Sequence, residues 1–257
     1  MRYELLGPLR VTNGQDHFSL SAPKMETLLA LLLTSAGQSV TKDQLITELW
    51  GTRPPRRAAA AVHVYISQLR KFLVRAGDTE GRAIATTPAG YLLRRGGAGL
   101  DVDDFQEAMR TGREHQHAGR YERASRDFDR ALALVRGPVL AGTAEGTALA
   151  SFGTWVEEER LACLELLVDA RTALGRHREV ISLLSRLTAQ YPLREVFYRQ
   201  LMLVLYRSER QAEALQVYRS AQRVLRAELG LEPCRSLRRM HQAILTSDRH
   251  LDLPLAS

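Results

Sequence analysis

This 257-residue sequence is poor in several residue types, with two cysteines, two tryptophans and an aromatic content of 6%. Cys163 and Cys234 are too few for the disulfide framework of a small secreted protein, which fits a reducing compartment. No apolar run approaches the roughly 18 residues that a membrane span needs. The first residues, MRYELLGPLRV, lack the apolar core of a signal peptide. We therefore expect a cytoplasmic protein with no membrane contact.

The sequence also lacks the motifs of several enzyme and metal-binding classes. It has no GxxxxGK[ST] loop to hold nucleotide phosphates. His115 and His117 would point about 200° apart on a helix, and no cysteine lies near them, so we expect solvated histidines. The acidic run at 157–159 is typical of a charged helix rather than of a catalytic carboxylate pair. We predict no enzymatic activity, no cofactor and no metal.

Acidic residues are missing from the stretch 49–77, which carries six basic ones. The basic excess belongs to the first part of the chain: residues 1–95 hold 13 Lys/Arg and 7 Asp/Glu, whereas the remainder holds 23 and 22. A stretch of one sign on a folded segment indicates a polyanion-binding surface. The alternative is a basic helix that is merely solvated. The six residues are Arg53, Arg56, Arg57, Arg70, Lys71 and Arg75.

Residues 1–95 predict the element order of a winged helix-turn-helix domain. The spacing indicates short antiparallel strands over 1–20, with a turn at Asn13-Gly14, followed by a helix over 24–35. A second helix begins at the capping box Thr41–Gln44, and a third covers about 56–75. Two strands follow in 84–95, with a turn at Pro88-Ala89-Gly90. Three helices closed by a hairpin form this fold.

The third helix carries an unexpected apolar residue. At 100° per residue, a buried stripe forms from Val62, Ile66, Leu69 and Leu73. Val64 falls on the opposite side, among small and polar residues. Such a face suits a DNA major groove, because small residues allow close approach, Ser67 and Gln68 can bond base edges, and a valine methyl can meet a thymine methyl. Basic residues near the helix ends, Arg57 and Lys71, would hold phosphates. The alternative is that Val64 packs beneath the wing or a neighbouring helix.

The remainder of the chain is predicted to be helical. We expect a linker at 96–100, a helical-repeat domain at 101–248 and a tail at 249–257. The segments AGRYERA, LGRHREV and SERQAEA align, and their anchors Gly175 and Glu209 are 34 residues apart, the tetratricopeptide period. Gly119 and Gly175 are 56 apart, and we assign the excess to a loop inserted at 137–153. The predicted fold is mainly α: a winged helix followed by tetratricopeptide-like repeats.

These motifs resemble two related groups of proteins. Residues 1–95 resemble the OmpR-type winged helix, through Val62-x-Val64-x-Ile66-Ser67-x-Leu69-Arg70 and Thr86-x-Pro88-x-Gly90-Tyr91. About residues 1–247 resemble the Streptomyces antibiotic regulatory proteins, whose helical region looks like the bacterial transcriptional activation domain. That likeness lies in RYELLGPLRV at the start, ELWGxxPP at 48–55, DVDDF at 101–105 and ELGLEP at 228–233.

The resemblance implies a transcriptional activator of secondary-metabolite (antibiotic) genes. It implies binding to double-stranded DNA at direct repeats near a promoter, two protomers on the DNA, and recruitment of RNA polymerase with its sigma factor. Many members carry Arg where this chain has Thr87, which supplies no charge for a narrow minor groove. The full set of predicted DNA-contacting residues is Arg56, Arg57, Ala60, Ala61, Val64, Tyr65, Ser67, Gln68, Arg70, Lys71, Thr86 and Thr87.

Two other readings of the sequence stay open. The repeats could be a ligand- or peptide-sensing module attached to a repressor, because nothing in the sequence separates activation from repression. The protein could also be an interaction scaffold whose basic helix only mimics a DNA reader. When bound to DNA, an activator of the predicted kind would be associated with the nucleoid.

Overall fold

The computed structural model describes residues 1–35, 37–139 and 146–252, apart from the side chains at 249 and 252. The strands are β1 (Arg2–Glu4), β2 (Arg10–Asn13), β3 (Asp16–Phe18), β4 (Val40–Thr41), β5 (Ile84–Thr86), β6 (Gly90–Leu93) and β7 (Gly99–Leu100). The helices are α1 (Pro23–Thr34), α2 (Lys42–Trp50), α3 (Ala58–Ala76), α4 (Asp101–His117), α5 (Tyr121–Leu134), α6 (Thr147–Ala173), α7 (His177–Gln190), α8 (Glu195–Arg207), α9 (Gln211–Leu229) and α10 (Arg235–Leu245), followed by a short 3-10 helix, Arg249–Asp252. The predicted fold class, a winged helix followed by a helical domain, is confirmed.

The first strands form a four-stranded sheet in the order β3-β2-β1-β7. The β2–β3 hairpin pairs Asn13 with Asp16, so its turn is Gly14-Gln15, one residue later than predicted. Gly14 has φ of 61°, a left-handed conformation that glycine adopts without strain. β7 pairs in parallel with β1, placing Tyr3 beside Leu100. The predicted linker at 96–100 therefore ends in a strand.

Three helices and a second sheet complete the winged helix. The predicted capping box is present at the start of α2: the Gln44 N–H donates to the Thr41 hydroxyl, and the Gln44 side chain accepts from the Thr41 N–H at 2.8 Å. β4, β6 and β5 form an antiparallel sheet in that order. The core between the helices comprises Leu28, Leu29, Leu32, Leu45, Leu49, Val62, Ile66, Leu69 and Leu73.

Two buried carboxylates connect the N-terminal part of the chain to the helices that follow it. Asp101 accepts hydrogen bonds from the backbone N–H groups of Leu5 and Leu6, at 2.8 and 2.9 Å. Burial raises the pKa of Asp101, and those two hydrogen bonds and Arg136 oppose the shift. Glu48, on α2, accepts from the N–H of Leu149 in the first turn of α6.

Residue contacts divide the chain into two compact units with interleaved sequences. The first unit is Met1–Glu107 with Ala131–Leu161, and the second is Ala108–Arg130 with Ala162–Ser257. These bounds differ from the predicted division after residue 95, because residues 131–161 return to the first unit. The predicted domain bounds of 1–95 and 101–248 stay a prediction.

The helical repeats show the same turn at each predicted anchor. Gly119, Gly175 and Glu209 all adopt a left-handed conformation, with φ of 69°, 73° and 62°. In each case the next N–H bonds to a carbonyl five residues earlier, as when Arg210 donates to Leu205 at 2.9 Å. Ala124 and Ala214, the small residues expected at close helix contacts, are fully buried. The predicted helix-pair anchors thus mark equivalent turns.

The loop predicted at 137–153 is wrong for its last seven residues. Residues 140–145 of the predicted stretch 137–153 lie outside the described part of the chain. Residues 147–153 belong to α6 and are helical. The glycine content of the stretch suggested a loop, but Gly153 lies within a 27-residue helix whose packing outweighs a propensity cost of about 1 kcal/mol.

Candidate nucleic-acid interface

The outward face of α3 has the composition that the helical period predicts. Val64 is 54% exposed, so the alternative that it packs beneath the wing is wrong. Ala60, Ser67 and Gln68 are also exposed, whereas Val62 and Ile66 on the opposite side are each 1% exposed. A small, neutral and partly apolar surface therefore faces outward along the middle of the helix.

Cations stand at both ends of this face. Arg56 and Arg57 are exposed but precede the helix, which begins at Ala58 rather than at the predicted 56. Residues 55–58 instead form a turn in which the Ala58 N–H donates to the Pro55 carbonyl at 3.0 Å. At the other end Lys71 is exposed. Both ends keep the charge needed to contact phosphates.

Tyr65 and Ala61 occupy the margin of the face and are half-buried. The Tyr65 ring lies 6.5 Å from that of Trp50 on α2, with the planes tilted by 33°. The ammonium of Lys24 lies 4.7 Å from the centre of the Trp50 ring and donates to the Leu49 carbonyl at 2.8 Å. This cluster fixes the flank of α3 that faces α2.

Arg70 faces the wing rather than the outward surface of α3. Its guanidinium donates to the Ile84 carbonyl at 3.0 Å and to the Thr86 hydroxyl at 2.8 Å. Both acceptors lie on β5. The sequence placed Arg70 among the candidate DNA contacts, and the structure shows that it connects the helix to the wing and orients the exposed Thr86 side chain.

The turn of the wing is constrained by its neighbours. The Thr87 hydroxyl accepts from the Gly90 N–H at 3.1 Å and lies 3.1 Å from the Ser39 hydroxyl, so Thr87 is already engaged within the protein. A Cβ on Gly90 would lie 2.0 Å from the Val40 carbonyl oxygen. Only glycine fits where β6 passes this close to β4.

One contact between α3 and the wing was missed in the sequence. The Tyr91 hydroxyl lies 2.6 Å from Nδ1 of His63, and their rings meet edge to face. Burial raises the pKa of Tyr91, and the nearby charge of Arg70 opposes the shift. On the helix His63 lies 100° from Val62, on the same side as Arg70. This shared side was the sequence signal that could have placed His63 near the same neighbour as Arg70.

A groove of about 480 Å³ flanks the other side of α3, opposite the wing. Its polar walls include Ser19, Ser21 and Arg75, none of which the sequence placed in the DNA-contacting set. Arg75 is exposed and follows Lys71 by four residues, so the two cations are neighbours on the helix surface. That spacing could have identified Arg75.

The described residues contain no group of three or more His, Cys, Asp or Glu that could hold a metal ion. His115 is not the solvated residue that we expected, because its Nδ1 lies 2.6 Å from the Asp127 carboxylate and its side chain is 20% exposed. Both cysteines are free: Cys163 is buried and Cys234 is exposed. Across the part of the chain that the structure describes, no helix has the length and apolar content of a membrane span.

Comparison with known proteins identifies both halves of the chain. Residues 17–93 match the C-terminal domain of transcriptional regulatory proteins, and residues 100–245 match the bacterial transcriptional activator domain. The chain is 36% identical to the regulatory protein AfsR of Streptomyces griseus over 99% of its own length and 25% of AfsR. It is 35% identical to the transcriptional regulator RedD of Streptomyces coelicolor, covering 98% of this chain and 72% of RedD.

One solved structure is similar to nearly all of this chain. The structure of Mycobacterium tuberculosis EmbR in complex with a low affinity phosphopeptide superposes with a TM-score of 0.89 at 35% identity, over 96% of this chain and 65% of that one. The chain thus spans a quarter of AfsR and about two thirds of EmbR. With a winged helix, an activator domain and these relatives, the chain belongs to the Streptomyces antibiotic regulatory protein family, a family of transcriptional regulators and not of enzymes.

Proposed function

We propose that this protein is a sequence-specific DNA-binding activator of secondary-metabolite (antibiotic) genes. In this proposal the outward face of α3 lies in a major groove of double-stranded DNA. Two protomers occupy direct repeats near a promoter, and the helical repeats recruit RNA polymerase through contacts that include its sigma factor. A transcriptional regulator of this kind acts in the cytoplasm, at the nucleoid.

The observation that carries the proposal is the exposure of Val64 at the centre of α3. A helix that only faces water would expose long charged side chains there, whereas this one exposes Val64, Ala60 and Ser67. An α-helix fits the major groove when its central side chains are small enough to reach base edges. The stretch 49–77 contains no acidic residue that would repel phosphates.

The wing supports the same placement. Arg70 holds β5 against α3, and Thr86 is exposed beside the outward face. A hydroxyl in that position can donate to a phosphate oxygen on the neighbouring backbone. Thr87 is engaged with Gly90, which favours a wing that follows the backbone over one that enters the minor groove.

Activation and the target genes rest on family membership. AfsR and RedD are regulators by name, and this chain spans only a quarter of AfsR. The phosphopeptide belongs to the EmbR complex, of whose chain this protein covers 65%. That phosphopeptide is a ligand of EmbR, and the proposed DNA-binding function does not depend on it.

The test begins with selection of binding sites from random duplexes by the purified full chain. We expect an enriched direct repeat, whose affinity falls with salt while the preference over random DNA persists. The enriched site is then placed upstream of a promoter for transcription in vitro with RNA polymerase holoenzyme. Increased transcript supports an activator, decreased transcript supports the repressor alternative, and no enriched sequence contradicts DNA reading by α3.

A further inference from the structure

Three exposed leucines gather at one corner of the second unit. Leu229 and Leu231, at the end of α9, are 50% and 58% exposed, and Leu193, in the turn before α8, is 46% exposed. The turns that carry them are joined, because the backbone N–H of Cys234 donates to the Glu195 carboxylate at 2.7 Å. Single exposed leucines are ordinary on protein surfaces, but a group of them marks a contact surface.

Exposed arginines stand beside these leucines. Arg226 precedes Leu229 by three residues on α9, so the two side chains are neighbours on one face. Arg235, Arg238 and Arg239 are exposed in the first turns of α10. Among the described residues none of these four guanidinium groups has a salt bridge or hydrogen-bond partner.

Two acidic residues at this corner are already engaged, whereas Glu228, beside Leu229, is exposed, and its single charge is outnumbered by the four arginines. The Glu232 carboxylate accepts from the Gln222 amide at 2.9 Å, and Glu195 accepts from the Cys234 N–H. The ring of Tyr218 stacks on that of His241, with centroids 3.9 Å apart, which fixes α9 against α10. The arginines therefore stand on a rigid support with their charge available to a partner.

We propose that this leucine–arginine corner, formed by Leu193, Leu229, Leu231, Arg226, Arg235, Arg238 and Arg239, docks an acidic amphipathic helix of another protein. The combination of groups favours a protein over a nucleic acid. A DNA backbone would satisfy the guanidinium groups but would leave the leucines exposed to water. A helix with carboxylates beside apolar side chains matches both, giving an apolar centre with a charged rim.

The proposal goes beyond DNA reading and is independent of α3. It names the surface through which the repeats would contact a protein partner. A protein that does not bind a peptide at this corner could still bind DNA through α3, and a protein that does not bind DNA could still bind the peptide. The two outcomes separate when peptide binding and DNA binding are measured on the same preparations.

The experiment uses the full chain and a synthetic fluorescein-labelled helical peptide with Leu at i, i+3, i+4 and i+7 and Glu on its other faces. Binding is followed by anisotropy. Leu231→Ser and the double variant Arg235→Glu/Arg238→Glu should each weaken binding about tenfold or more, as central interface residues do. Arg186→Glu on α7 and Leu245→Ser on α10, also at exposed positions, should leave it unchanged.

Three controls can overturn the inference. A peptide of the same composition in scrambled order should bind about tenfold more weakly; equal binding would show attraction by charge alone. A random duplex that displaces the peptide from wild type but not from the arginine variant would identify a nucleic-acid surface. Self-association in sedimentation velocity that Leu231→Ser abolishes would identify a second copy as the occupant. Absence of peptide binding to the wild-type protein likewise overturns the proposal.

The variants also need a check on folding and on DNA binding. Leu231→Ser and the arginine double variant change exposed side chains, so their thermal unfolding should match that of wild type. Should one of them unfold, the other still decides the question. Binding of the selected DNA site should be unchanged in both, which separates this surface from the reading face of α3.

Discussion

The carboxylate of Glu48 accepts a hydrogen bond of 2.9 Å from the backbone N–H of Leu149. Its second oxygen lies 3.3 Å from the N–H of Ala148, and Glu48 itself is only 4% exposed. A side chain of α2 therefore caps the first turn of α6, 100 residues away in sequence. A carboxylate at this position also complements the positive end of the helix dipole. Gly146 leaves room for it, because a Cβ there would lie 2.3 Å from a Glu48 oxygen.

Glu48→Ala should destabilise the first unit. The change removes the acceptor and leaves the buried Leu149 N–H without a partner, which costs about 2–3 kcal/mol for a charged, buried hydrogen bond. Urea unfolding measures the loss. Glu80→Ala, which removes only an exposed ion pair with Arg82, is the matched control and should change stability by less than about 0.5 kcal/mol. Equal effects of the two changes would mean that the cap contributes little.

Val64→Glu should abolish DNA binding without unfolding the protein. The new carboxylate would face phosphates and base edges, so we expect a loss of about 100-fold or more in affinity for the selected site. Because Val64 is exposed, the free energy of unfolding should change by less than about 0.5 kcal/mol. Leu245→Glu, at a residue of similar exposure on α10, should alter neither quantity. A large loss of stability with Val64→Glu would show that the side chain supports the fold instead.

Lys71→Ala should reduce the salt dependence of DNA binding. A phosphate contact is independent of sequence, so affinity for the selected site and for random DNA should fall by similar factors. The slope of log affinity against log salt should decrease by roughly 1. Arg186→Ala, at an exposed arginine on α7, should leave the slope unchanged. A loss confined to the selected site would assign Lys71 to base reading.

Gly90→Ala should disrupt the wing. A methyl group 2.0 Å from the Val40 carbonyl oxygen forces β6 away from β4, which we expect to cost about 2 kcal/mol or more. Thermal unfolding and DNA affinity should both decline. Gly97→Ala is the matched control, since a Cβ on Gly97 meets no atom within 4 Å and its φ is not left-handed. If both variants unfold alike, the close approach at Gly90 is relaxed more easily than its geometry indicates.

Glu209→Gly should stabilise the second unit. Glu209 holds a φ of 62° at the turn where the equivalent residues 119 and 175 are glycines. Glycine has no Cβ and adopts the left-handed conformation without steric strain, which stabilises the folded state. Part of this stabilisation is offset because glycine raises the conformational entropy of the unfolded chain. The net gain should be about 0.5–1 kcal/mol in chemical unfolding. The reverse change, Gly175→Ala, should destabilise by a similar amount, while DNA affinity stays the same in both.

Local periodicity predicted the elements that bear the proposed function. Val62 and Ile66 are buried and Val64 is exposed because a helix repeats every 3.6 residues, and that period is visible in a short window. The capping box at Thr41 and the wing turn before Gly90 were predictable for the same reason. Each depends on residues only a few positions apart.

Contacts between residues that are far apart in the sequence could not be predicted from local periodicity. Glu48 is one acid in an ordinary amphipathic helix until α6 lies beside it, and Arg70 resembles any other cation of the basic stretch until β5 lies next to it. Asp127 likewise changes the environment of His115 from the following helix. The sequence predicted where each of these residues lies on its own helix, but their partners are set by tertiary packing.

The bond between Arg70 and the wing has a consequence for how new DNA specificities can arise. Because the guanidinium is anchored to Ile84 and Thr86, the protein itself sets the distance between α3, the proposed DNA-reading helix, and the part of the wing that would contact the neighbouring DNA backbone. Substitutions at the outward positions of α3, such as Ala60 or Gln68, alter none of those anchoring atoms. Paralogues could thus diverge in the operators that they prefer by changing a few surface side chains, while the scaffold that positions them stays constant.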